Sequence, residues 1–285
     1  MCHILKFSKE RVGSIMKRKD ILLISFVIMI SCIVIGCGNP AKEAAKEAYK
    51  NEVSRIETQI EERDAEIEKA EILLKVDEKA LDNTIETSLQ KAIENASSNE
   101  IKIPGVPSDI DEIYKVVDTI KGIDITEEIN DIRNMEQALA DSRKQYKMLV
   151  CPKEDFVIER LKNVKDINKI EAATEDNDPN GKLNKPGGYV AQIYFSSPLV
   201  KDPYGLNTGN VVEDGTDGGG SIEIYKSVAE AKKRNEYLSG FDGTFLDNGS
   251  HKVYGTIIIR TSEELTATQQ NSLEEDILTA LTELE

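Results

Sequence analysis

Hydrophobic positions repeat along the first half of the chain with the spacing of a helix. Residues 41–96 contain no Gly or Pro and consist mostly of Ala, Glu, Lys and Ile, which favour helix. One line of apolar side chains repeats every seven residues, and a second line, from Ile56 through Arg63 to Thr84, is broken by polar residues. The pattern predicts a long helix with one main apolar stripe: Val53, Ile60, Ile67, Leu74 and Leu81.

A second helical stretch follows a break at residues 104–107, where two prolines flank Gly105 and Val106. Ser108 is the expected N-cap of a short helix, and Thr126 is the expected cap of the next. The last helix repeats its own line every seven residues: Ile125, Ile132, Leu139 and Tyr146. The two stripes predict an antiparallel helical hairpin or small bundle, with intermolecular coiled-coil pairing as the alternative. We therefore expect residues 37–150 to form a helical, coiled-coil-like stalk.

Beyond residue 150 the pattern changes to alternation with period two. Of the 18 glycines, 13 lie in residues 151–285. Helices are predicted over 155–163, from the Ser227–Glu230 capping box to Ser239, and from the Thr266–Gln269 capping box onwards. The four predicted strands are Ile167–Ala173, Tyr189–Phe195, Ser221–Tyr225 and, at the centre, Val253–Ile259. Residues 151–285 should form a small α+β sandwich with helices on one face of the sheet.

The stretch Met16–Cys37 has the pattern of an export signal. Lys17-Arg18-Lys19 precedes the apolar run Ile21–Ile35, and small Gly36 comes directly before Cys37. The ending Val34-Ile35-Gly36-Cys37 resembles the lipobox of a bacterial lipoprotein signal. The resemblance implies that residues 1–36 are removed as a signal peptide and that Cys37 is lipidated. Incorporation of labelled palmitate would report this lipidation. The resemblance also implies attachment to the outer face of the cell membrane by a lipid anchor.

Other interpretations of this stretch stay open. As an uncleaved helix, Ile21–Gly36 would span roughly 24 Å, which is shorter than a bilayer core of about 30 Å. An ordinary signal peptide is a second alternative, and Ser31-Cys32 offers a second, poorer lipobox. Met16 begins a compact basic segment, so translation from Met16 is an alternative to Met1.

Charge is distributed unevenly between the two ends of the chain. The whole chain carries −16, and residues 1–36 carry +4, which leaves −20 on the remainder. A region with this much negative charge will not bind nucleic acid by neutralising its phosphates. The charge favours a soluble region that acyl chains hold at the membrane. Cys2 and Cys32 precede Cys37, so no disulfide framework is expected in the mature chain.

Candidate chemistry is confined to one short stretch. Asp176, Asp178, Asn180 and Gly181 match the first half of a calcium-binding loop, D-x-D-x-N-G, in which oxygen ligands converge on one hard cation. The position expected to hold a bidentate Glu is Gly187, and the alternative is a polar Asx turn. Asp176, Asp178 and Asn180 are therefore candidate calcium ligands, and no other cofactor is expected. His251 has no nucleophile near it in sequence, so no catalytic residues are assigned and the protein is not expected to be an enzyme.

A further resemblance covers residues 153–283. It is carried by Glu175–Gly181, Gly187-Gly188-Tyr189, Gly219–Tyr225, Ala231–Leu238 and Gly255–Leu265. Together these segments resemble an extracellular domain of secreted and lipid-anchored proteins of Gram-positive bacteria, some of which are labelled extracellular-matrix-binding. The resemblance implies exposure at the cell surface. We expect a binding or spacer module at the bacterial envelope whose partner is an envelope or extracellular protein or glycan. The alternative is an extracellular hydrolase of cell-wall material.

Overall fold

The computed structural model describes residues 39–201, 208–244 and 249–284. The predicted signal peptide 1–36, the alternative start at Met16, Cys32 and the lipidation site Cys37 lie outside these residues. The described helices are α1 Pro40–Leu74, α2 Thr84–Ser98, α3 Ile110–Lys121, α4 Thr126–Met148, α5 Glu154–Leu161, α6 Val211–Asp214, α7 Val228–Ser239 and α8 Ala267–Thr282. The strands are β1 Ile170–Ala172, β2 Ala191–Ser196, β3 Gly219–Ile224, β4 His251–Tyr254 and β5 Ile257–Thr261.

The fold class is α+β, as predicted: helices come first and a five-stranded antiparallel sheet follows. The described residues divide into two compact units. The helical unit comprises 39–69 and 93–132, and the sheet unit comprises 70–92 and 133–284. The units therefore do not divide at residue 150, where composition changes. Residues before 150 belong to the sheet unit through contacts such as Gln145 Nε2 to the Thr282 carbonyl, 3.2 Å, and Thr256 N–H to the Leu149 carbonyl, 2.9 Å.

The helical unit contains buried apolar side chains from α1 and α3. Ala45 packs with Ile113 and Val117. The broken line of α1 is the more deeply buried one, because Ile56 is fully buried whereas Val53 is only half-buried. The side chains of α1 also reach carbonyl groups at the ends of other helices. Arg55 donates to the carbonyls of Ile120 and Ile123, at 3.0 and 3.2 Å, and Arg63 donates to that of Asn99, at 3.0 Å.

The predicted uninterrupted helix over 41–96 is wrong, because the chain leaves the helical conformation after Leu74 and resumes it at Thr84. No helix-breaking residue lies in between. Instead, long-range hydrogen bonds hold the break: Arg143 donates to the carbonyls of Leu73 and Val76 at 3.0 and 3.1 Å. Asp82 then accepts from the Thr84 N–H, 2.8 Å, at the start of α2. Thr126 is likewise the first residue of α4, and Asp124 accepts from its N–H at 2.9 Å.

The sheet has the strand order β1-β2-β3-β5-β4, so β3 is the central strand. One face is apolar and packs against α5 and α8, with Val157 and Leu161 of α5 meeting Leu273 and Ile277 of α8 over the strands. The strand residues of this face are Ala191, Ile193, Phe195, Ile222, Ile224, Ile257 and Ile259. The Thr266 capping box at the start of α8 is present as predicted.

Two expectations for this sheet are wrong. Val253–Ile259 is not one central strand, because the chain turns at Gly255, which has φ +60°, and β4 pairs back on β5. Helices do not cover only one face either. Ala231 of α7 packs with Ile258, which points away from the apolar face.

Candidate functional site

The second face of the sheet is polar but buried. Pairing places Gln192 of β2 beside Glu223 of β3, and Ser221 of β3 between Tyr194 of β2 and Arg260 of β5. These side chains alternate with the isoleucines of the apolar face, as the period of a strand requires. All five are at most 5% exposed. Charged groups so deeply buried need partners, because removing them from water is costly.

Glu223 is at the centre of this polar layer. Arg234 of α7 donates to its two carboxylate oxygens from Nε and Nη2, both at 3.1 Å. Arg260 Nη1 donates at 3.2 Å and the Tyr225 hydroxyl at 2.6 Å. Burial acts to raise the pKa of the Glu223 carboxyl, but the positive charges of Arg234 and Arg260 outweigh it and hold that pKa below its usual value. Glu223 is therefore an ionised carboxylate with two cationic partners.

The cover over this face comes from α7 and the loop before β2. Leu183 and Tyr189 of the loop pack with Tyr225 and Ile258 of the sheet. Ser227 caps α7 by accepting from the Glu230 N–H, 3.2 Å, as its sequence predicts. Tyr189 is the first residue of the predicted strand Tyr189–Phe195, but it precedes the start of β2 and packs on the opposite, polar side. Alternation therefore begins only at Ala191.

Asp178, one of the predicted calcium ligands, organises this loop. Its Oδ2 accepts from the N–H groups of Lys182 and Leu183 at 2.6 and 2.8 Å, and its Oδ1 accepts from the Asn180 N–H at 3.1 Å. The Tyr189 hydroxyl also donates to Oδ1. Burial tends to raise the pKa of Asp178, but these hydrogen bonds outweigh it and lower the pKa below its ordinary value.

The other two predicted calcium ligands do not join Asp178 around one point. Asp176 is exposed, and Asn180 donates from Nδ2 to Gln192 Oε1 and to the Tyr194 hydroxyl, both at 3.3 Å. The oxygens of Asp178 accept hydrogen bonds from backbone N–H groups and from the Tyr189 hydroxyl, so they are already occupied. This arrangement fits a turn built around a carboxylate better than a cation site. Within the described ranges, no group of three or more His, Cys, Asp or Glu side chains could hold a metal ion. Calcium binding stays a prediction.

A cleft of about 710 Å³ opens above the polar layer. We call it the tyrosine cleft. Its lining comes from the 180–189 loop, from the end of β3 and from one side of α7: Asn180, Lys182, Pro186, Gly187, Gly188, Tyr189, Tyr225, Glu230, Lys233, Arg234 and Tyr237. A volume of this size is typical of small-molecule sites. The cleft combines three tyrosines with three cationic side chains and a single carboxylate.

Two tyrosines of the cleft are buried and hydrogen-bonded within the fold, and the third exposes its ring to the cleft. The hydroxyls of Tyr189 and Tyr225 donate to Asp178 and Glu223, and both rings are almost fully buried. Tyr237 is 60% exposed. The Arg234 guanidinium lies 5.4 Å from the Tyr237 ring centroid, and Phe241 contacts this ring edge-on at 5.1 Å. Tyr237 is thus an exposed aromatic ring held by two neighbours.

The polar layer beneath the cleft is not fully hydrogen-bonded. Among the described residues, no partner is found for Gln192 Nε2, Ser221 Oγ or Arg260 Nε, although all three atoms are buried. Leaving such a group unpaired costs about 1–3 kcal/mol. The layer therefore carries a cost at three atoms in addition to the cost of burying its charges.

His251 and Cys151 lie elsewhere in the sheet unit. Both ring nitrogens of His251 are in hydrogen bonds, Nδ1 with Asn235 at 2.8 Å and Nε2 with Asp242 at 3.0 Å. A histidine with both nitrogens occupied has none left to activate a nucleophile. The Cys151 N–H donates to the Thr256 hydroxyl oxygen at 2.7 Å, outside the cleft lining.

The residues of the polar layer and the cleft that sequence reasoning missed are Glu223, Arg260, Arg234 and the three tyrosines. A signal for the first two exists. Glu223 is a charged residue between Ile222 and Ile224 in an alternating strand, and Arg260 ends a run of three isoleucines. Charges in strands of this kind need partners when the sheet is covered on both faces.

Comparisons with protein-family models, with curated proteins and with solved structures give no match for this chain. In the part of the chain that the structure describes, no helix is both long enough and apolar enough to cross a bilayer.

Proposed function

We propose that this chain is a lipid-anchored protein of the bacterial envelope whose sheet unit binds a ligand in the tyrosine cleft. Anchoring rests on residues 16–37, where a basic segment, an apolar run and Gly36-Cys37 follow the pattern of a lipoprotein signal. Cleavage before Cys37 would remove the apolar run and leave acyl chains as the membrane attachment. The −20 charge of the remainder fits a body that stays in water beside the membrane.

The observation that carries the binding function is the cleft with its charged floor. A spacer needs only stable helices, whereas this unit buries Glu223, Arg260 and most of Arg234 directly beneath a concave surface. Perturbed ionisable groups beneath a cleft are a mark of binding sites. The exposed ring of Tyr237 adds a contact surface that contributes little to the core. Binding is therefore favoured over the spacer function.

Nothing in the described residues favours the hydrolase alternative. Its candidate carboxylates were Asp176 and Asp178. The oxygens of Asp178 accept four hydrogen bonds within its own loop, and Asp176 is exposed outside the cleft lining. A pair of catalytic carboxylates would have to flank a bond in the substrate.

The anchor is tested by metabolic labelling with a palmitate analogue. The unaltered chain should be labelled and should fractionate with membranes, and Cys37→Ser should abolish both. Labelling that persists in Cys37→Ser and disappears in Cys32→Ser would move the site to Cys32. The same two variants thus decide between the two lipoboxes.

Binding is tested on intact cells with a photo-reactive amino acid at position 237. The matched control places it at position 114, an exposed tyrosine of the helical unit. The proposal expects one partner to be captured from position 237 and not from position 114. Equal capture from both positions, or none from either, would favour the spacer function.

A further inference from the structure

The tyrosine cleft is positively charged in an otherwise acidic protein. Lys182, Lys233 and Arg234 line it beside a single carboxylate, Glu230. Beneath them, Arg260 offsets the charge of Glu223, and the Asp178 carboxylate behind Tyr189 adds one negative charge. Counted once each, the four cations Lys182, Lys233, Arg234 and Arg260 exceed the three carboxylates Glu223, Glu230 and Asp178 by one. The chain as a whole carries −16. A cationic surface with low-dielectric walls concentrates anions, and this local reversal of sign indicates an anionic ligand.

The cation at the back of the cleft is fixed in position. Arg234 uses Nε and Nη2 to hold Glu223, and Nη1 makes no hydrogen bond with another described residue. Lys182 and Lys233 are exposed, and neither forms an ion pair in the described ranges. The cleft thus offers an anion one donor group that is held in place by Glu223 and two exposed ammonium groups. A donor that is already ordered loses little entropy on binding.

The aromatic part of the cleft favours a sugar ring. Arg234 and Phe241 hold the ring of Tyr237, which stays 60% exposed. Such a ring presents an apolar face with a polar tip, against which the C–H face of a sugar can pack. The side-chain oxygen of Asn180 and the carboxylate of Glu230 also line the cleft and can accept hydrogen bonds from hydroxyl groups.

An acidic peptide fits this surface less well. Peptides that bind to sheets pair with an exposed edge strand, but the cleft contacts the end of β3, which is the central strand. Its lining includes no large aliphatic side chain that would form a pocket for a peptide side chain. Recognition here depends on charge, hydroxyl contacts and one aromatic ring.

We infer that the tyrosine cleft binds an acidic oligosaccharide, with Lys182, Lys233 and Arg234 holding its anionic groups and Tyr237 packing against a sugar ring. This inference rests on the proposed binding function and specifies its ligand class. The acidic group is a carboxylate or a sulfate, which the Nη1 donors of Arg234 and the ammonium groups of Lys182 and Lys233 can bind by charge-assisted hydrogen bonds. The volume of about 710 Å³ accommodates a short saccharide rather than a single ion.

The test is calorimetric titration of the purified full chain in detergent with four probes of matched length: oligogalacturonate, sulfated dextran, neutral dextran and polyglutamate. The inference expects binding of an acidic saccharide that is tighter than binding of neutral dextran and polyglutamate, and that weakens as salt rises. Lys182→Ala/Lys233→Ala should reduce the affinity about tenfold. The matched control Lys226→Ala/Lys232→Ala removes two exposed lysines outside the cleft lining and should leave the affinity unchanged.

Each other outcome overturns the inference in its own way. If neutral dextran binds as tightly as the acidic saccharides and Tyr237→Ala abolishes that binding, the cleft binds sugars without selecting for charge, and the proposed function survives. Tighter binding of polyglutamate would make the ligand an acidic peptide. No binding of any probe at millimolar concentration would also overturn the inference, while capture from position 237 on cells would still decide the proposed function independently.

Discussion

The two faces of the same sheet are built on opposite principles. One face carries seven strand residues, six of them large and apolar, that pack against α5 and α8. The other face buries Gln192, Ser221, Glu223 and Arg260 under α7 and a loop. Both faces are excluded from water, so burial alone does not distinguish them. The difference lies in what burial does: it stabilises the fold on the first face and requires compensation by hydrogen bonds and ion pairs on the second.

This contrast supports the proposed location of the binding site. Replacing a buried ion pair with apolar side chains is often neutral or stabilising, so a charged layer is weak support for stability. The polar face holds the tyrosine cleft. We therefore treat the apolar face as the source of stability and the polar face as the scaffold of the site.

The largest effect should come from removing the central charge of the polar face. Glu223→Ala leaves Arg234 and Arg260 without their shared partner, so the free energy of unfolding should fall by about 3–5 kcal/mol. Urea denaturation measures this. Glu236→Ala, which removes an exposed carboxylate from α7, should change it by less than about 0.5 kcal/mol. A loss below about 1 kcal/mol for Glu223→Ala would mean that the two arginines find water or other partners.

On the apolar face, truncating a side chain should lower stability through lost packing. Ile222→Ala on the central strand should lower the free energy of unfolding by about 3 kcal/mol through lost burial and a residual cavity. At a temperature where the variant remains folded, its capture of a partner from position 237 should be unchanged. Ile72→Ala, at a position that is 58% exposed, is the matched control for stability. Loss of capture in the folded Ile222→Ala protein would break the proposed separation between the two faces.

The loop that covers the polar face should make the free energy of unfolding depend on pH in the acid range. The pKa of Asp178 lies below its ordinary value of 3.8 when folded, so its carboxylate stabilises the fold above that value. This contribution is lost as the pH falls through the lowered pKa. Asp178→Asn should be about 1–2 kcal/mol less stable than the unaltered chain at pH 7, and the difference should shrink below about pH 4.

Thermal unfolding across pH 2–7 measures this difference. Asp176→Asn, at the exposed neighbouring aspartate, should follow the unaltered chain at every pH. A difference between Asp178→Asn and the unaltered chain that grows in acid would reverse the sign and contradict the assignment of Asp178 as the ionised centre of the loop.

The smallest effect on stability is expected at the aromatic ring of the cleft. Because Tyr237 is 60% exposed, Tyr237→Ala should change the free energy of unfolding by no more than about 0.5 kcal/mol. Tyr114→Ala in the helical unit should do the same. The two variants should differ only in ligand binding, which Tyr237→Ala abolishes. Equal binding by both would show that the exposed ring is not part of the site.

Local sequence signals predict what is local in this fold. The capping box at Thr266, the cap at Ser227 and the stop at Gly240 define the ends of helices because each acts within one turn. The apolar alternation of β2 and β3 likewise places Ile193 and Ile222 in the core. These features depend on neighbouring residues alone.

The features that sequence reasoning missed depend on distant residues. The break after Leu74 is held by Arg143, about seventy positions away, and no residue within the break signals it. The Glu223 layer draws its cations from α7 and β5, which meet only when the sheet is complete. The hairpin at Gly255 is different, since an isolated glycine in a β-branched run is itself a signal for a turn.

The most direct test replaces the charged layer with apolar residues of similar size. A chain carrying Glu223→Met, Arg234→Leu, Arg260→Met and Tyr225→Phe removes every partner in the Glu223 network together. The account predicts a free energy of unfolding within about 1 kcal/mol of the unaltered chain, or above it, with loss of oligosaccharide binding in calorimetry and of capture from position 237. A folded variant that still binds, or a variant that no longer folds, would contradict the claim that this layer exists for the site rather than for stability.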